Sequence, residues 1–156
     1  MTRPKIDWKA LLFFLLYTYL FAGIGVLLGG EFNIDTLVQP PLAPPAWLFP
    51  VVWSILYTLM SVAAYLVFAS NDLDRGPALR LYLLQVIVNA LWSLFFFRLE
   101  WRLFAFFWLL LLIALVLLTM VGFRAVSRTA FRLMIPYLVW LLFAGYLTLG
   151  YYLLNR

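Results

Sequence analysis

The stretch Leu109-Leu-Leu-Leu-Ile-Ala-Leu-Val-Leu-Leu118 contains no polar side chain. A strand of a membrane-spanning barrel would alternate apolar and polar residues over about 10 positions. This stretch is apolar on every face, so it predicts a helix in apolar surroundings. It lies inside an uncharged run, residues 103–123. Roughly 20 helical residues at ~1.5 Å each cross the ~30 Å of hydrocarbon in a bilayer, so the run predicts a transmembrane helix.

Four further runs have no charged side chain and a comparable length: residues 10–30, 36–71, 81–97 and 133–155. The composition agrees, because 67% of the 156 residues are hydrophobic and 11% are charged, whereas soluble domains have about 25% charged residues. Lipid accepts only helices or closed barrels, since every backbone polar group needs an internal partner. We therefore predict an all-α integral membrane bundle of five transmembrane helices in a single domain, residues 1–156. The expected spans are residues 9–29, 46–69, 78–97, 103–123 and 132–154, with a proline-rich first loop at 30–45.

The first run has an alternative interpretation as a cleaved signal peptide, because Arg3, Lys5 and Lys9 precede it. A signal core is about 7 to 15 residues long. This run continues without charge until Glu31, which favours a retained helix.

The positive charges predict the orientation in the membrane. Eight of the 11 Lys and Arg residues fall on the side of the amino terminus, and cationic loops stay cytoplasmic. These eight are Arg3, Lys5, Lys9, Arg75, Arg80, Arg124, Arg128 and Arg132. We expect the amino terminus in the cytoplasm and the carboxyl terminus outside, in a bacterial cell membrane. Nucleic-acid binding is not predicted, because the basic residues are spread through short loops and form no continuous patch.

Cysteine and histidine are both absent from the sequence. Their absence excludes a disulfide, a thiolate nucleophile, a histidine-based triad and an imidazole ligand for zinc or haem iron. We therefore expect no metal site, no obligatory cofactor and no hydrolase or metalloenzyme chemistry.

The first loop contains four prolines in six positions: Pro40, Pro41, Pro44 and Pro45. Consecutive prolines favour a stiff, extended backbone, which predicts a semi-rigid lid across the mouth of the bundle. The alternative, a helix-start signal with proline in the first turn, accounts for Pro45 alone.

Three predicted helices carry stripes of aromatic, small and polar residues at spacings of three and four, which place each stripe on one helical face. The stripes are Trp53, Tyr57, Met60 and Ala64; Gln85, Asn89, Trp92 and Phe96; and Tyr137, Trp140, Ala144 and Thr148. A carboxamide at membrane depth should face the bundle interior or a wet cavity. The alternative for Gln85 and Asn89 is a hydrogen bond that fastens two helices, with ~0.6 to 2 kcal/mol of stabilisation.

Trp53 and Trp140 each combine a large apolar face with one N–H donor. This combination favours a flat hydrophobic ligand with a carbonyl or carboxylate edge, although core packing is an alternative for either residue alone. Elsewhere, Gly25 and Gly29 form a small-residue step that fits either a dimer face or close packing inside the monomer.

The carboxyl-terminal segment fits a weak lipid or sterol contact pattern through Tyr151 and Arg156. The alternative is that both residues anchor the helix at the membrane interface. Interface belts also explain tryptophans near span ends, such as Trp8 and Trp101.

Three blocks of this sequence resemble the TspO/MBR family of tryptophan-rich sensory and translocator proteins. They are Pro44-Pro45-x-Trp47-x-Phe49 with Trp53-x-x-Leu56-Tyr57-x-x-Met60; Asn89-x-x-Trp92 with Phe96-Phe97; and Pro136-Tyr137-x-x-Trp140-x-x-Phe143-Ala144-x-x-Leu147. The resemblance covers nearly the whole chain. It implies a five-helix bundle, a homodimer, and a pocket beneath the first loop for porphyrins, haem, sterols or benzodiazepine-like compounds.

The resemblance implies ligand contacts by Trp53, Trp140, Asn89 and Ala144, which agree with the stripes. The full set of candidate ligand-binding residues is Trp53, Trp140, Asn89, Ala144, Tyr57, Trp92, Gln85, Phe96, Tyr137, Pro44 and Trp47. Several positions depart from the family pattern, and we expect a lid that closes less tightly as a result. They are Asn33, Ile34, Gln39 and Thr148.

We expect a membrane protein that binds a porphyrin, haem, a sterol or a similar hydrophobic molecule as a sensor or carrier. One alternative is an enzyme that degrades porphyrin under light, an activity reported for some family members. Another is a transporter of tetrapyrroles, which the lack of charged residues well inside the spans disfavours.

Overall fold

In the computed structural model, which describes residues 6–156, five long helices form and no strand is present in this part of the chain. They are α1 (Trp8–Gly29), α2 (Leu48–Ala69), α3 (Arg75–Ser93), α4 (Arg102–Val126) and α5 (Arg128–Leu154). Within the described range, all five are long and apolar enough to cross a membrane. The predicted all-α fold with five transmembrane helices is confirmed. Arg3 and Lys5, which entered the orientation argument, lie outside the described residues.

The helix boundaries have local causes. Asp7 begins α1, because its carboxylate accepts hydrogen bonds from the backbone N–H groups of Lys9 and Ala10, both at 3.1 Å, as an N-cap residue does. Ser127 both ends α4 and begins α5: its N–H donates to Phe123 O at 2.6 Å, and its side chain accepts from Ala130 N–H at 3.2 Å. A turn this short holds α4 and α5 antiparallel and side by side.

The five helices close into a ring. Helix α1 packs on α2 and α3, α4 packs between α3 and α5, and α5 packs on α2. The order around the ring is therefore α1, α2, α5, α4, α3. Helices α2 and α3 follow one another in the chain but are not neighbours in the ring. Because the ring is closed, inward side chains from α2, α3, α4 and α5 can meet at its centre.

Small residues allow α1 and α3 to approach each other closely. A Cβ atom added at Gly25 would lie 3.1 Å from Ala90 O, and one at Gly29 would lie 3.2 Å from Ser93 Cβ. Both contacts join α1 to α3. The small-residue step therefore serves packing inside the monomer, and this decides between the two alternatives that the sequence left open.

Helix α3 continues into a π-helical turn, Leu94–Arg98, in which Leu99 N–H donates to Leu94 O at 3.0 Å. Phe96, in this wider turn, is buried in an apolar cluster with Phe49 of α2 and Leu147 of α5. Its ring stacks on that of Trp92, with the ring centroids 4.9 Å apart. Turns of this kind are rare in proteins overall, but those that exist are often found at functional sites.

The first loop lies across one end of the bundle. Ile34, in a short 3-10 turn, is 3% exposed and packs in one cluster with Phe49 of α2 and Leu147 of α5. Further along the loop, Pro40 contacts Gly150, where a Cβ would lie only 2.7 Å from Pro40 Cβ. The hydroxyl of Tyr146 donates to Pro41 O at 2.7 Å. The loop is thus attached mainly to α5.

The outward faces of the five helices are largely apolar. Large hydrophobic side chains are exposed along all five helices, including Leu16, Val51, Leu84, Phe107 and Val139. Several polar side chains of the spans, such as Gln85 and Thr148, are buried in the interior. Ser54 and Thr58 of α2 are exposed, but their hydroxyls donate to backbone carbonyls of the same helix. This distribution suits lipid as the surrounding solvent, and the chain is a multi-pass membrane protein.

Candidate functional site

Four helices meet around a small cavity inside the bundle. Its volume is about 10 Å³, which is roughly the space needed by one water molecule. The lining residues come from α2, α3, α4 and α5: Trp53, Asn89, Trp92, Leu109, Leu112 and Ala144. Three of the four contributing helices are those whose stripes were predicted to face one another.

Aromatic rings surround Trp53 on several sides. Trp53 stacks on Tyr57 with ring centroids 5.3 Å apart, and it meets Trp140 nearly perpendicularly at 6.5 Å and Tyr137 edge-on at 6.2 Å. Trp140 in turn contacts Phe49 edge-on at 5.9 Å. Offset and edge-on arrangements of this kind are the favourable geometries for aromatic pairs. These rings join α2 to α5.

A buried hydrogen-bond network lies next to the cavity. Asn89 Nδ2 donates to Tyr137 Oη at 2.6 Å, and the Tyr137 hydroxyl donates to Gln85 Oε1 at 2.8 Å. Gln85 Nε2 makes a weak contact with Met60 Sδ at 3.9 Å. The network joins α3 to α5. Gln85 therefore fastens helices and does not line the cavity, whereas Asn89 does both.

Two indole N–H groups beside the site have no partner within the described part of the chain. The Nε1 atoms of Trp92 and Trp140 are buried, and neither makes a hydrogen bond there. Buried donors in proteins are nearly always satisfied. Both groups therefore offer donors to an acceptor that enters from outside the chain, whether from a ligand or from water.

Comparison with known proteins assigns the family. The sequence matches the TspO/MBR family over residues 13–153. The chain belongs to the TspO/MBR family. It is 38% identical to the tryptophan-rich protein TspO of Chlorobaculum tepidum over 77% of each chain. It is also 35% identical to the tryptophan-rich sensory protein of Cereibacter sphaeroides, over 87% of this chain and 85% of the relative.

The family extends to eukaryotic proteins. The translocator protein of Homo sapiens is 36% identical over 74% of this chain and 69% of its own length. The resemblance found in the sequence is thereby confirmed.

The structure gathers most of the candidate residues of this TspO/MBR protein into one region, but at different distances from the cavity. Trp53, Asn89, Trp92 and Ala144 line it. A second group packs behind these residues through the aromatic and polar contacts described above: Tyr57, Gln85, Phe96, Tyr137 and Trp140. Pro44 is half-buried in the first loop, and Trp47 is 66% exposed at the start of α2.

Tyr151, named above as a candidate lipid or sterol contact, is buried in this structure. Tyr151 is 2% exposed and packs edge-on against Phe96 at 5.8 Å, in the same cluster as Ile34 of the first loop. Spacing along the sequence could not show this, because the contact pattern specifies residue types without specifying a helical face. Arg156 is exposed.

Sequence reasoning missed the contribution of α4. Leu109 and Leu112 line the cavity, but they lie in a run of apolar residues with no polar neighbour to distinguish one face from another. Only the packing of α4 between α3 and α5 selects these two leucines.

Proposed function

We propose that this protein binds a hydrophobic small molecule of the porphyrin, haem or sterol type inside the membrane and acts as a sensor or carrier. One observation carries the proposal. Trp53, Asn89, Trp92 and Ala144, from three helices, line one cavity, and the buried indole N–H groups of Trp92 and Trp140 have no partner among residues 6–156. The names of the relatives, which refer to sensing and translocation, support the same general class.

The chemistry of the lining favours binding over catalysis. Its side chains are two indoles, one carboxamide and three aliphatic groups, so it offers apolar contact and a few hydrogen-bonding groups without a general acid, a base or a nucleophile. Ligand pockets typically have this composition. A flat, largely apolar ligand would pack against the indoles, and its carbonyl or carboxylate edge would accept hydrogen bonds from Trp92 and Trp140.

Binding requires the site to open. The cavity of about 10 Å³ is far below the roughly 300 to 1,000 Å³ of a drug-sized pocket. Above it, Ile34 of the first loop packs in one cluster with Trp53, Trp92 and Trp140. We infer that a ligand enters as the loop lifts Ile34 away and the tryptophan rings separate.

Titration with protoporphyrin IX in the dark tests this function. The reconstituted protein is compared with the double variant Trp53→Phe/Trp140→Phe and with the control Trp8→Phe, whose ring is exposed at the start of α1. Changes in the Soret band report the affinity without relying on tryptophan fluorescence, and darkness prevents photochemical loss of the porphyrin. Stacking of a flat ring on an aromatic side chain contributes about 1 to 3 kcal/mol when the side chain is truncated to alanine. Phenylalanine keeps part of each stacking surface, so we expect the double variant to bind at least about tenfold more weakly. Equal affinities for the double variant and the control would refute the site.

A further inference from the structure

A second and larger hollow lies on the surface where α4 begins and α5 ends. It has a volume of about 550 Å³. Its apolar wall includes Leu103, Phe104 and Phe107, all exposed on α4, together with Tyr152 of α5. This groove, the α4–α5 groove, shares no lining residue with the cavity at Trp53.

Two arginines lie at this apolar groove, Arg102 and Arg156. The Arg102 side chain is 16% exposed, and its buried Nε has no hydrogen-bond partner among residues 6–156. Its carboxylate neighbour is Glu100, whose side chain is 69% exposed and lies 3.8 Å away. A guanidinium group carries five N–H donors. Arg102 is thus largely withdrawn from water with much of its hydrogen-bonding capacity unused.

The charges of the groove match one negative group. Among the side chains that line the groove, Arg102 and Arg156 contribute two positive charges and Glu100 one negative charge, so the side chains leave an excess of one positive charge. A phosphodiester carries a single negative charge, and guanidinium groups bind phosphate oxygens in paired hydrogen bonds. The groove also lies at the ends of two membrane-spanning helices, beside the exposed indole of Trp101, where lipid headgroups are found.

We propose that the α4–α5 groove binds one anionic phospholipid. Its phosphodiester contacts Arg102 and Arg156, and one acyl chain lies along Leu103, Phe104 and Phe107. A zwitterionic lipid is disfavoured, because its headgroup has no net charge and would leave the excess positive charge of the groove uncompensated. The proposal does not depend on the function assigned to the cavity at Trp53.

Native mass spectrometry of the full chain tests the proposal. The protein is released from mixed micelles that contain phosphatidylglycerol or phosphatidylcholine, and the retained lipids are counted. We expect the unaltered protein to retain one phosphatidylglycerol molecule. The variant Arg102→Gln/Arg156→Gln should retain at least about tenfold less of this lipid, because it loses hydrogen bonds between charged groups. The control Arg124→Gln/Arg128→Gln removes the same charge at the opposite ends of the two helices and should retain the lipid.

Two further arms separate the possible outcomes. Arg156→Gln alone removes an exposed side chain, so it should weaken lipid retention without altering the thermal midpoint, even if Arg102→Gln disturbs folding. Excess inorganic phosphate should not displace the lipid, because phosphate makes no contact with the apolar wall. The proposal would be overturned by any one of three results: displacement of the lipid by phosphate, equal retention of phosphatidylglycerol and phosphatidylcholine, or equal lipid retention by the two double variants.

Discussion

Asn155, at the end of α5, holds the backbone of Val38 in the first loop through two hydrogen bonds. Its Oδ1 accepts from Val38 N–H at 2.8 Å, and its Nδ2 donates to Val38 O at 3.0 Å. The two residues are 117 positions apart in the sequence. Ile34 of the same loop belongs to the apolar cluster on which Trp53, Trp92 and Trp140 also pack. This pair of bonds therefore links the end of α5 to the loop that we propose must lift for a ligand to enter.

The variant Asn155→Ala should make the loop open more often. Two hydrogen bonds of about 0.5 to 1.5 kcal/mol each amount to about 1 to 3 kcal/mol, or roughly 5- to 150-fold in the opening equilibrium. We expect protoporphyrin IX to associate faster by a factor within this range, as measured by stopped-flow absorbance. Asn33→Ala is the matched control, since among residues 6–156 its exposed side chain bonds only to Glu31. Association at the same rate in both variants would show that loop opening does not limit entry.

Gly25→Ala should destabilise the monomer. The added Cβ would lie 3.1 Å from Ala90 O and 3.2 Å from Ala90 Cα, and backbone atoms cannot yield as a flexible side chain can. Overpacking of this kind costs about 1 to 3 kcal/mol, which a denaturation midpoint in detergent would detect. Gly23→Ala is the control, because nothing lies within 4 Å of the Cβ added there. Equal midpoints for Gly25→Ala and Gly23→Ala would contradict the packing role.

Tyr137→Phe should destabilise the bundle by removing the centre of its polar network. The variant leaves Asn89 Nδ2 and Gln85 Oε1 without their buried partner. Hydrogen bonds between membrane helices contribute about 0.6 to 2 kcal/mol, so a lowered unfolding midpoint is expected. Tyr57→Phe is the control, because the Tyr57 hydroxyl makes no hydrogen bond within the described residues. Equal midpoints for the two variants would argue against a fastening role.

Leu112→Ala should enlarge the cavity and strengthen ligand binding at the expense of stability. Leu112 is fully buried and lines the cavity, whereas Leu111 on the same helix is exposed. Removal of a buried leucine side chain costs about 2 kcal/mol or more, but the space it leaves reduces the rearrangement that a ligand requires. We expect a lower dissociation constant for protoporphyrin IX in Leu112→Ala and no change in Leu111→Ala. An unchanged affinity in both would place the ligand elsewhere.

The distribution of positive charges predicts the side of the membrane on which each terminus lies. A reporter that is active only outside the cytoplasm, fused after Arg156, should be active, and the same reporter at the amino terminus should be silent. The opposite pattern would reverse the orientation and would also move the α4–α5 groove to the cytoplasmic leaflet.

Much of the fold follows from the sequence, because each transmembrane helix satisfies its own backbone hydrogen bonds and needs no distant partner to form. Long uncharged runs such as residues 103–123 therefore specify helices. The polar and aromatic stripes also identified the inner faces of α2, α3 and α5, since Asn89 is costly to expose to lipid.

Contacts between distant segments depend on tertiary structure. Leu109 and Leu112 resemble every other leucine of α4, and only the packing between α3 and α5 turns them toward the cavity. The same holds for Tyr151, which lies under the first loop, and for Asn155, which bonds to Val38. Periodicity along one helix specifies which residues share a face. The neighbour that covers this face is decided by shape complementarity between helices, which no local sequence pattern contains.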